Sequence, residues 1–350
     1  MRSFGSSLET TLITRAGDLT RLLPEWWALW QRAEHATPFQ SPAWLLPWWQ
    51  VFHPGELMTV AVRRDGLLVG LAPFYLEDGA YGRRLLPLGI GVTDYLDVLI
   101  EGAPAGAVGD AMARALADAP VGWDVWSLEE LRPDAVARAL PLSALQVEEV
   151  PQSACPILVL PASEAEWRST RAGRRWRRAW NRVDRHGRVR IIEGDAFNAT
   201  GLFESVVDLH TRRWSADAQP GVLADADVRL FHRTAVPHLA ASSLLRLTGL
   251  EVDGRIVAAS YGLAHRGHSY AYLNGYDPAF SFDSPGTVLI GHAMRDAIAH
   301  GGGTFHFLRG QEAYKYAWGA EDTWNVVRCA TRDTGVRLET EVATARRAAV

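Results

Sequence analysis

Lysine is almost missing from this chain. Of the 36 basic side chains among 350 residues, only Lys315 is a lysine; every other one is arginine. Arginine is a planar, permanently charged fork, whereas lysine is a compact ammonium on a flexible stem. A lysine that survives such a bias marks a position for an ammonium, either in a structural ion pair or in an active site. Cysteine is scarce too. Cys155 and Cys329 are too few for a disulfide framework or a four-cysteine zinc site, and they point to a reducing compartment. No apolar run is long enough to span a bilayer. Met1 to Thr20 lacks the basic start and apolar centre of a secretory leader. A cytoplasmic protein without membrane insertion is expected. The net charge of −4 provides no global attraction to nucleic acid, although local patches still count.

Several catalytic signatures are absent as well. There is no HExxH, GxSxG, GxxxxGK[ST] or CxxC, which removes the zincin, α/β-hydrolase, P-loop and thioredoxin-like readings. His265 and His268 stand three apart, but no nearby cysteine or further histidine completes a metal site, so no metal is expected.

What is present reads as a soluble, mixed α/β protein of two domains, with hydrophobic residues at 48% and charged ones at 22%. Helical spacing runs over Leu19–Ala33, and Ser41-Pro42 opens a further helix through Trp49. Strands are predicted at 58–62 and 67–75 around Asp65-Gly66, then at 84–88, 95–100 and 125–128, with a helix over 105–117. Two prolines, Pro151 and Pro156, suggest a boundary and hence domains 1–153 and 154–350. Beyond it a strand at 157–160 precedes one basic helix over 164–186. Helices follow at 203–214 and 231–240. A hairpin at 244–263 turns at Asp253-Gly254. A strand at 268–276, a helix at 287–300 and a strand at 304–308 complete the order. Both halves place a strand and a helix after a hairpin with an Asp-Gly turn, which suggests two copies of one α/β unit.

Three constellations could carry chemistry. Ser284-Pro285-Gly286-Thr287 opens a helix after a strand. Ser284 is placed to cap it and Gly286 to admit a phosphate, since helix N-termini bind anions. Ten arginines lie between Arg168 and Arg190, and Arg171, Arg174, Arg178, Arg182 and Arg185 share one helical face. That stripe suits phosphates or an anionic polymer, or else a solvated face with glutamate partners. Trp176, Trp180 and Val183 share another face and are read as core. Finally, 306–318 holds a histidine, an arginine, a glutamate, two tyrosines and the lysine. Tyr314 beside Lys315 fits a general acid, because an ammonium lowers a phenol's pKa, and Glu312 fits a proton acceptor. In the first half, Asp94 and Asp97 are predicted at a strand entrance on opposite faces.

Taken in order, these segments resemble the acetyltransferase family associated with bacterial cellulose biosynthesis, a branch of the GNAT superfamily. The resemblance rests on Phe39-Gln40-Ser41-Pro42-Ala43-Trp44, Thr93–Asp97, Arg174–Arg178, Leu209-His210 with Arg213-Trp214, Tyr272–Pro278, Ser284–Thr287, and Phe307–Gly310 through Glu312, Tyr314, Lys315 and Trp318. It implies tandem GNAT-like acyltransferase domains, each a central mixed sheet flanked by helices. The layout is similar to the Fem-type aminoacyltransferases, which use aminoacyl-tRNA. It further implies N-acyl transfer from acetyl-CoA or another acyl-CoA to the amine of a small molecule or peptide, within the C-terminal domain. The N-terminal domain would support the acceptor. Nucleic acid is a partner only under the alternative of a tRNA-dependent enzyme; a catalytically silent scaffold is the other alternative. The roles that follow are Tyr314 as acid, Glu312 as base or orienting group, and Lys315 as electrostatic partner. Ser284, Gly286 and Thr287 would hold the pyrophosphate, with Arg174 and Arg178 as further anion contacts. Asp94, His306 and Arg309 would meet the acceptor. Ser-Pro-Gly-Thr departs from the usual GNAT phosphate loop, Q/R-x-x-G-x-G/A, and His306 stands where the family has aspartate.

Overall fold

The computed structural model describes residues 7–79, 82–102, 106–142 and 145–331. The outermost residues of both expected domains, 1–6 and 332–350, and the expected helix start at Ala105 lie outside the described residues. The chain divides into two compact units: the described residues up to Ser153 together with those from Trp324 onward, and Ala154–Thr323. The expected second domain included everything after residue 153. Instead the strand from Trp324 returns to the first unit, because its residues pair antiparallel with Val125–Leu131.

In the first unit, Leu8–Ile13 pairs with Thr59–Arg64, which forms a hairpin with Leu67–Ala72. Asp65 and Gly66 both have positive φ, 51° and 80°. That is the type I′ geometry, whose twist matches that of the flanking strands. Phe74–Gly79 pairs antiparallel with Gly82–Pro87. Gly82–Pro87 runs parallel to Val125–Leu131, with helix Ala107–Ala117 between them in sequence. Val60, Val62, Leu85, Met112, Leu116 and Trp126 are buried in one cluster and supply the apolar burial that holds this unit. The expected strand at 95–100 shrinks to Leu99–Ile100. Asp97 explains the loss: its carboxylate accepts the backbone N–H groups of Val98, Val136 and Ala137 at 2.9, 3.0 and 2.8 Å. Those bonds fix a loop where a ladder would otherwise run.

The second unit repeats the plan. Val189–Glu193, Leu245–Val252, Arg255–His265 and His268–Tyr276 form an antiparallel series. Asp253 and Gly254 again have positive φ, 48° and 84°. Thr304–His306 joins parallel to the last of these strands and antiparallel to the 157–159 stretch. The expected helix over 164–186 breaks into Glu164–Ser169 and Arg171–Val183. Thr170 makes the break: it is extended, and its hydroxyl accepts Gly173 N–H at 3.1 Å as the N-cap of the second helix. Helices Ala199–Ala216 and Ala226–Ala241 cover one sheet face, where Phe203 and His232 meet Tyr261. Helix Pro285–Ala299 covers the other, because successive strand residues point to opposite faces. Gly291 lets this helix meet Arg171–Val183 at close range; a Cβ there would lie 2.2 Å from Trp176. Trp176 sits beneath the Arg295 guanidinium at 4.6 Å, and its indole N–H donates to Val288 O at 3.2 Å. Trp176 is core, and Trp180 packs partly buried against the same cluster, in line with their spacing.

Among the described residues no helix is long and apolar enough to cross a membrane. Cys155 and Cys329 are both buried.

Candidate functional site: an arginine pocket at a helix N-terminus

The site grows from a parallel pair that parts. Pairing between His268–Tyr276 and Thr304–His306 covers only His268–Tyr270, and the first strand continues unpaired with it to Tyr276. The same strand carries an extra residue, Tyr272, between the pairs Ala271–Gly262 and Leu273–Tyr261. A bulge of this kind bends a strand and re-aims its backbone groups. The chain then passes Pro278–Asp283 and enters helix Pro285–Ala299 at the parting.

Ser284 does not cap that helix. It is left-handed (φ 58°, ψ 53°) and makes no side-chain cap bond. Its hydroxyl instead accepts from Arg182 Nη2 at 3.1 Å; in the first turn Pro285 has no N–H, and the Thr287 N–H donates to Ser284 O at 2.9 Å. Arg171, Arg174, Arg175, Arg178 and Arg182 join Ser284 and Thr287 around a cavity of about 330 Å³. Residues more than a hundred positions apart thus form one wall. Arg175 was missing from the expected stripe, and Arg185 falls instead in the short turn Asp184–His186. Among the described residues no carboxylate pairs with the five lining arginines, so the glutamate-paired alternative does not hold. Arg175 is held below the ordinary arginine range, first by burial and then by Arg171 and Arg182. The Arg182 Nε is buried with no hydrogen-bond partner. Cations also crowd the positive end of helix Arg171–Val183, which has no acidic residue in its first turn. An anion placed here relieves every one of these terms.

A second cavity, about 210 Å³, lies on the other side of the same N-terminus. Ser284, Gly286 and Thr287 line it together with Tyr314, Arg213, Asn274 and Tyr276. A Cβ on Gly286 would meet nothing within 4 Å, so the opening is clear at that point. Arg213 lies over the rings of Trp214 and Tyr276, at 5.3 and 5.5 Å. The Asn274 Oδ1 is buried without a partner. Arg213, Asn274 and Tyr276 were not expected as site residues. Their signal was their place inside the segments that carry the family resemblance.

Two expectations about the lysine segment are corrected. Tyr314 was to have its pKa lowered by Lys315. Burial raises it well above the ordinary phenol value, Glu312 adds to the rise, and Arg213 only partly offsets it. Lys315 turns the other way: its Nζ donates to the carbonyls of Leu308 (3.2 Å), Arg309 and Gly310 (3.1 Å), and pairs with Glu312 Oε2 at 2.9 Å. It is 2% exposed, whereas the Glu312 side chain is 49% exposed. Arg309 meets the lysine through its carbonyl. His306 does not line either cavity: its Nε2 contacts His268 Nδ1 at 3.0 Å and its ring stacks on Tyr270 at 4.7 Å. Asp94 belongs to the first unit and is buried there, with its carbonyl accepting from Asn325 Nδ2 at 2.8 Å.

Comparison with known proteins fits this geometry. Residues 168–316 match the family described as acetyltransferase (GNAT) domain. The chain is a mixed α/β fold, and the GNAT match falls within its second unit. The crystal structure of FemX is similar over 91% of this chain and 96% of its own, with 12% identity and a TM-score of 0.63. A conserved protein of unknown function from Bacteroides thetaiotaomicron is similar over 93% of this chain and 100% of its own, at 13% identity and a TM-score of 0.60. The structure of L-PGS from Bacillus licheniformis is similar over 93% of this chain and 95% of its own, at 12% identity and a TM-score of 0.55. At these identities the likeness is one of fold. No curated protein sequence matches the chain. The GNAT domain and its cavities support an acyltransferase.

Proposed function

We propose that the protein is an acyl-CoA-dependent N-acyltransferase whose donor lies along the second unit's helix N-terminus. One observation carries this reading: the arginine cavity and the Tyr314 cavity share Ser284 and Thr287. A donor with phosphates at one end and a reactive acyl group at the other fits such a pair of adjoining spaces. The residues suit the phosphate end, since guanidinium groups bind phosphate oxygens and a helix N-terminus favours an anion.

The donor would supply an activated acyl carbon as a thioester. Tyr314 then has a defined role. Because burial keeps its phenol protonated at neutral pH, it is available to give a proton to the sulfur as the carbon–sulfur bond breaks and the acceptor nitrogen bonds to the acyl carbon. Glu312, half exposed and anchored by Lys315, is placed to take the proton that the acceptor amine sheds. Strand N–H groups near the Tyr272 bulge would polarise the carbonyl. Lys315 serves this arrangement indirectly, by holding the 308–312 turn that carries Glu312. The acceptor class remains a small molecule or a peptide, and the link to cellulose production rests on the family resemblance alone.

An aminoacyl-tRNA donor is the second reading, favoured by the same five arginines. Isothermal titration with CoA and with tRNA, on the wild type and on Arg174→Gln/Arg178→Gln, separates the two. We expect saturable CoA binding that weakens about tenfold or more in the double variant. Tyr314→Phe should bind CoA as the wild type does and release thiol at least about tenfold more slowly. Salt-sensitive tRNA binding without CoA binding would establish the rival. If neither ligand binds, both readings fall.

A further inference from the structure

The second unit contains another cavity that the proposed function does not use. It lies beneath the middle and C-terminal part of helix Pro285–Ala299, away from the phosphate end, and has a volume of about 300 Å³. A water molecule's share of liquid volume is about 30 Å³, so this space exceeds a structural water site. It reaches the lower range of small-molecule pockets, about 300–1,000 Å³.

Polar side chains enter the lining of this space alongside apolar ones. A sheet face beneath a helix ordinarily carries branched apolar side chains that fill the gap. The first half of this helix obeys that rule: Val288 and Leu289 pack against Leu250, Val257 and Ala258. Further along, the strand residues turned to the helix are Arg246, Thr248, Ser260, Gly262, Ser269 and Ala271. Thr248 and Ser260 face each other across neighbouring strands, as do Arg246 and Gly262. The helix answers with His292, Ala293, Asp296 and His300. Ile290 and Phe305 add apolar bulk to the lining, and the positions between them leave the space open.

The charges are arranged around the cavity's edge. Arg246 Nε lies 3.5 Å from Asp296 Oδ2, and His300 Nδ1 lies 3.2 Å from Asp296 Oδ1. Across the lining, His292 Nε2 lies 3.4 Å from Glu193 Oε1. Burial, the leading influence, holds His292 below the ordinary histidine range despite the two acids nearby. Among the lining side chains the two carboxylates, Asp296 and Glu193, outnumber the one guanidinium, Arg246. The cavity's floor of three hydroxyls can both donate and accept.

We propose that this cavity is a second ligand site, selective for a small hydroxylated primary amine. The ammonium meets the Asp296 and Glu193 carboxylates, and the ligand's hydroxyl groups meet Thr248, Ser260 and Ser269. The site is separate from the donor cavities and does not depend on the identity of the donor. It shares helix Pro285–Ala299 with them, and the side chain of Ile290 borders both this cavity and the one containing Tyr314.

Titration calorimetry in an amine-free phosphate buffer tests the proposal. The probes are glucamine, an amino-polyol, and sorbitol, its neutral counterpart. Glucamine should bind saturably, and sorbitol about tenfold or more weakly. Asp296→Asn should weaken glucamine by a similar factor. The same substitution also removes the ion pair with Arg246, so a second variant guards against a folding artefact. Ala293→Leu adds bulk to the cavity from a helical position without removing any polar group, and should abolish glucamine binding while the circular-dichroism melt stays cooperative. Three results would overturn the proposal: no binding of glucamine at tens of millimolar, equal binding of sorbitol, or unchanged affinity in a folded Ala293→Leu variant.

Discussion

Replacing the sole lysine should cost stability before it touches chemistry. Lys315 is buried at 2% exposure, and its ammonium donates to three consecutive carbonyls, Leu308, Arg309 and Gly310, while pairing with Glu312. The turn it gathers is unusual, since Leu308 and Gly310 have positive φ of 60° and 104°. A left-handed leucine is costly unless its surroundings hold it. Hydrogen bonds from a charged donor contribute about 1.5–3 kcal/mol each, so three give a gross of roughly 5–9 kcal/mol. Burying the ammonium opposes this by several kcal/mol, and a methionine would recover that part. We expect Lys315→Met to destabilise the protein by about 3 kcal/mol, or roughly 6–12 °C in Tm for a unit of this size. Lys315→Arg should cost about 2 kcal/mol, because a planar fork cannot converge its donors on three carbonyls around one point. Urea unfolding followed by circular dichroism measures both, and hydrogen exchange across 307–312 localises the effect. If Lys315→Arg unfolds within about 0.5 kcal/mol of the wild type, the reasoning fails. The lysine would then be a survivor of no structural consequence.

Two further expectations concern packing and pH. Gly291→Ala places a Cβ 2.2 Å from Trp176, and should destabilise by about 1–2 kcal/mol despite the better helix propensity of alanine. Gly201→Ala, with nothing within 4 Å of the new Cβ, should be neutral or stabilising by up to about 1 kcal/mol; thermal melts of the two variants decide between them. Burial lowers the pKa of His232 to about 3, and burial followed by Arg213 lowers that of His210 to about 4, both from 6.5. The unfolded chain therefore takes up protons below pH 6.5 that the native protein refuses, so these groups' contribution to stability falls from 6.5 downward and levels off only below their folded values. His232→Phe should reduce the stability lost between about pH 7 and pH 4.5 by on the order of 3 kcal/mol. An unchanged acid limb in urea titrations would show that His232 is not buried neutral.

The local pattern was sufficient for much of the fold. Asp65-Gly66 and Asp253-Gly254 announced type I′ hairpins, since only residues that tolerate positive φ make that turn. The strand at 268–276 and the helix that follows it were legible from periodicity and from Pro285. Where a side chain made a specific backbone bond, periodicity misled. Thr170 split one apparent helix, and Asp97 dissolved most of an apparent strand.

The candidate site divides in the same way. From the sequence alone came the arginine stripe, the Ser284–Thr287 helix start and the placing of Tyr314 among the residues to watch. Composition also singled out Lys315. What the ammonium does was a tertiary matter: its donors point back at the carbonyls of its own turn rather than at the Tyr314 hydroxyl. Only the folded chain could set Arg171–Arg182 against Ser284 and Thr287, because a cavity is a product of packing between distant segments. It also decided the state of Tyr314, whose proton is held by burial, a property no neighbour in sequence can report. Residue types fixed which groups are available to bind and react; the packing of helices on the sheet fixed which of them meet.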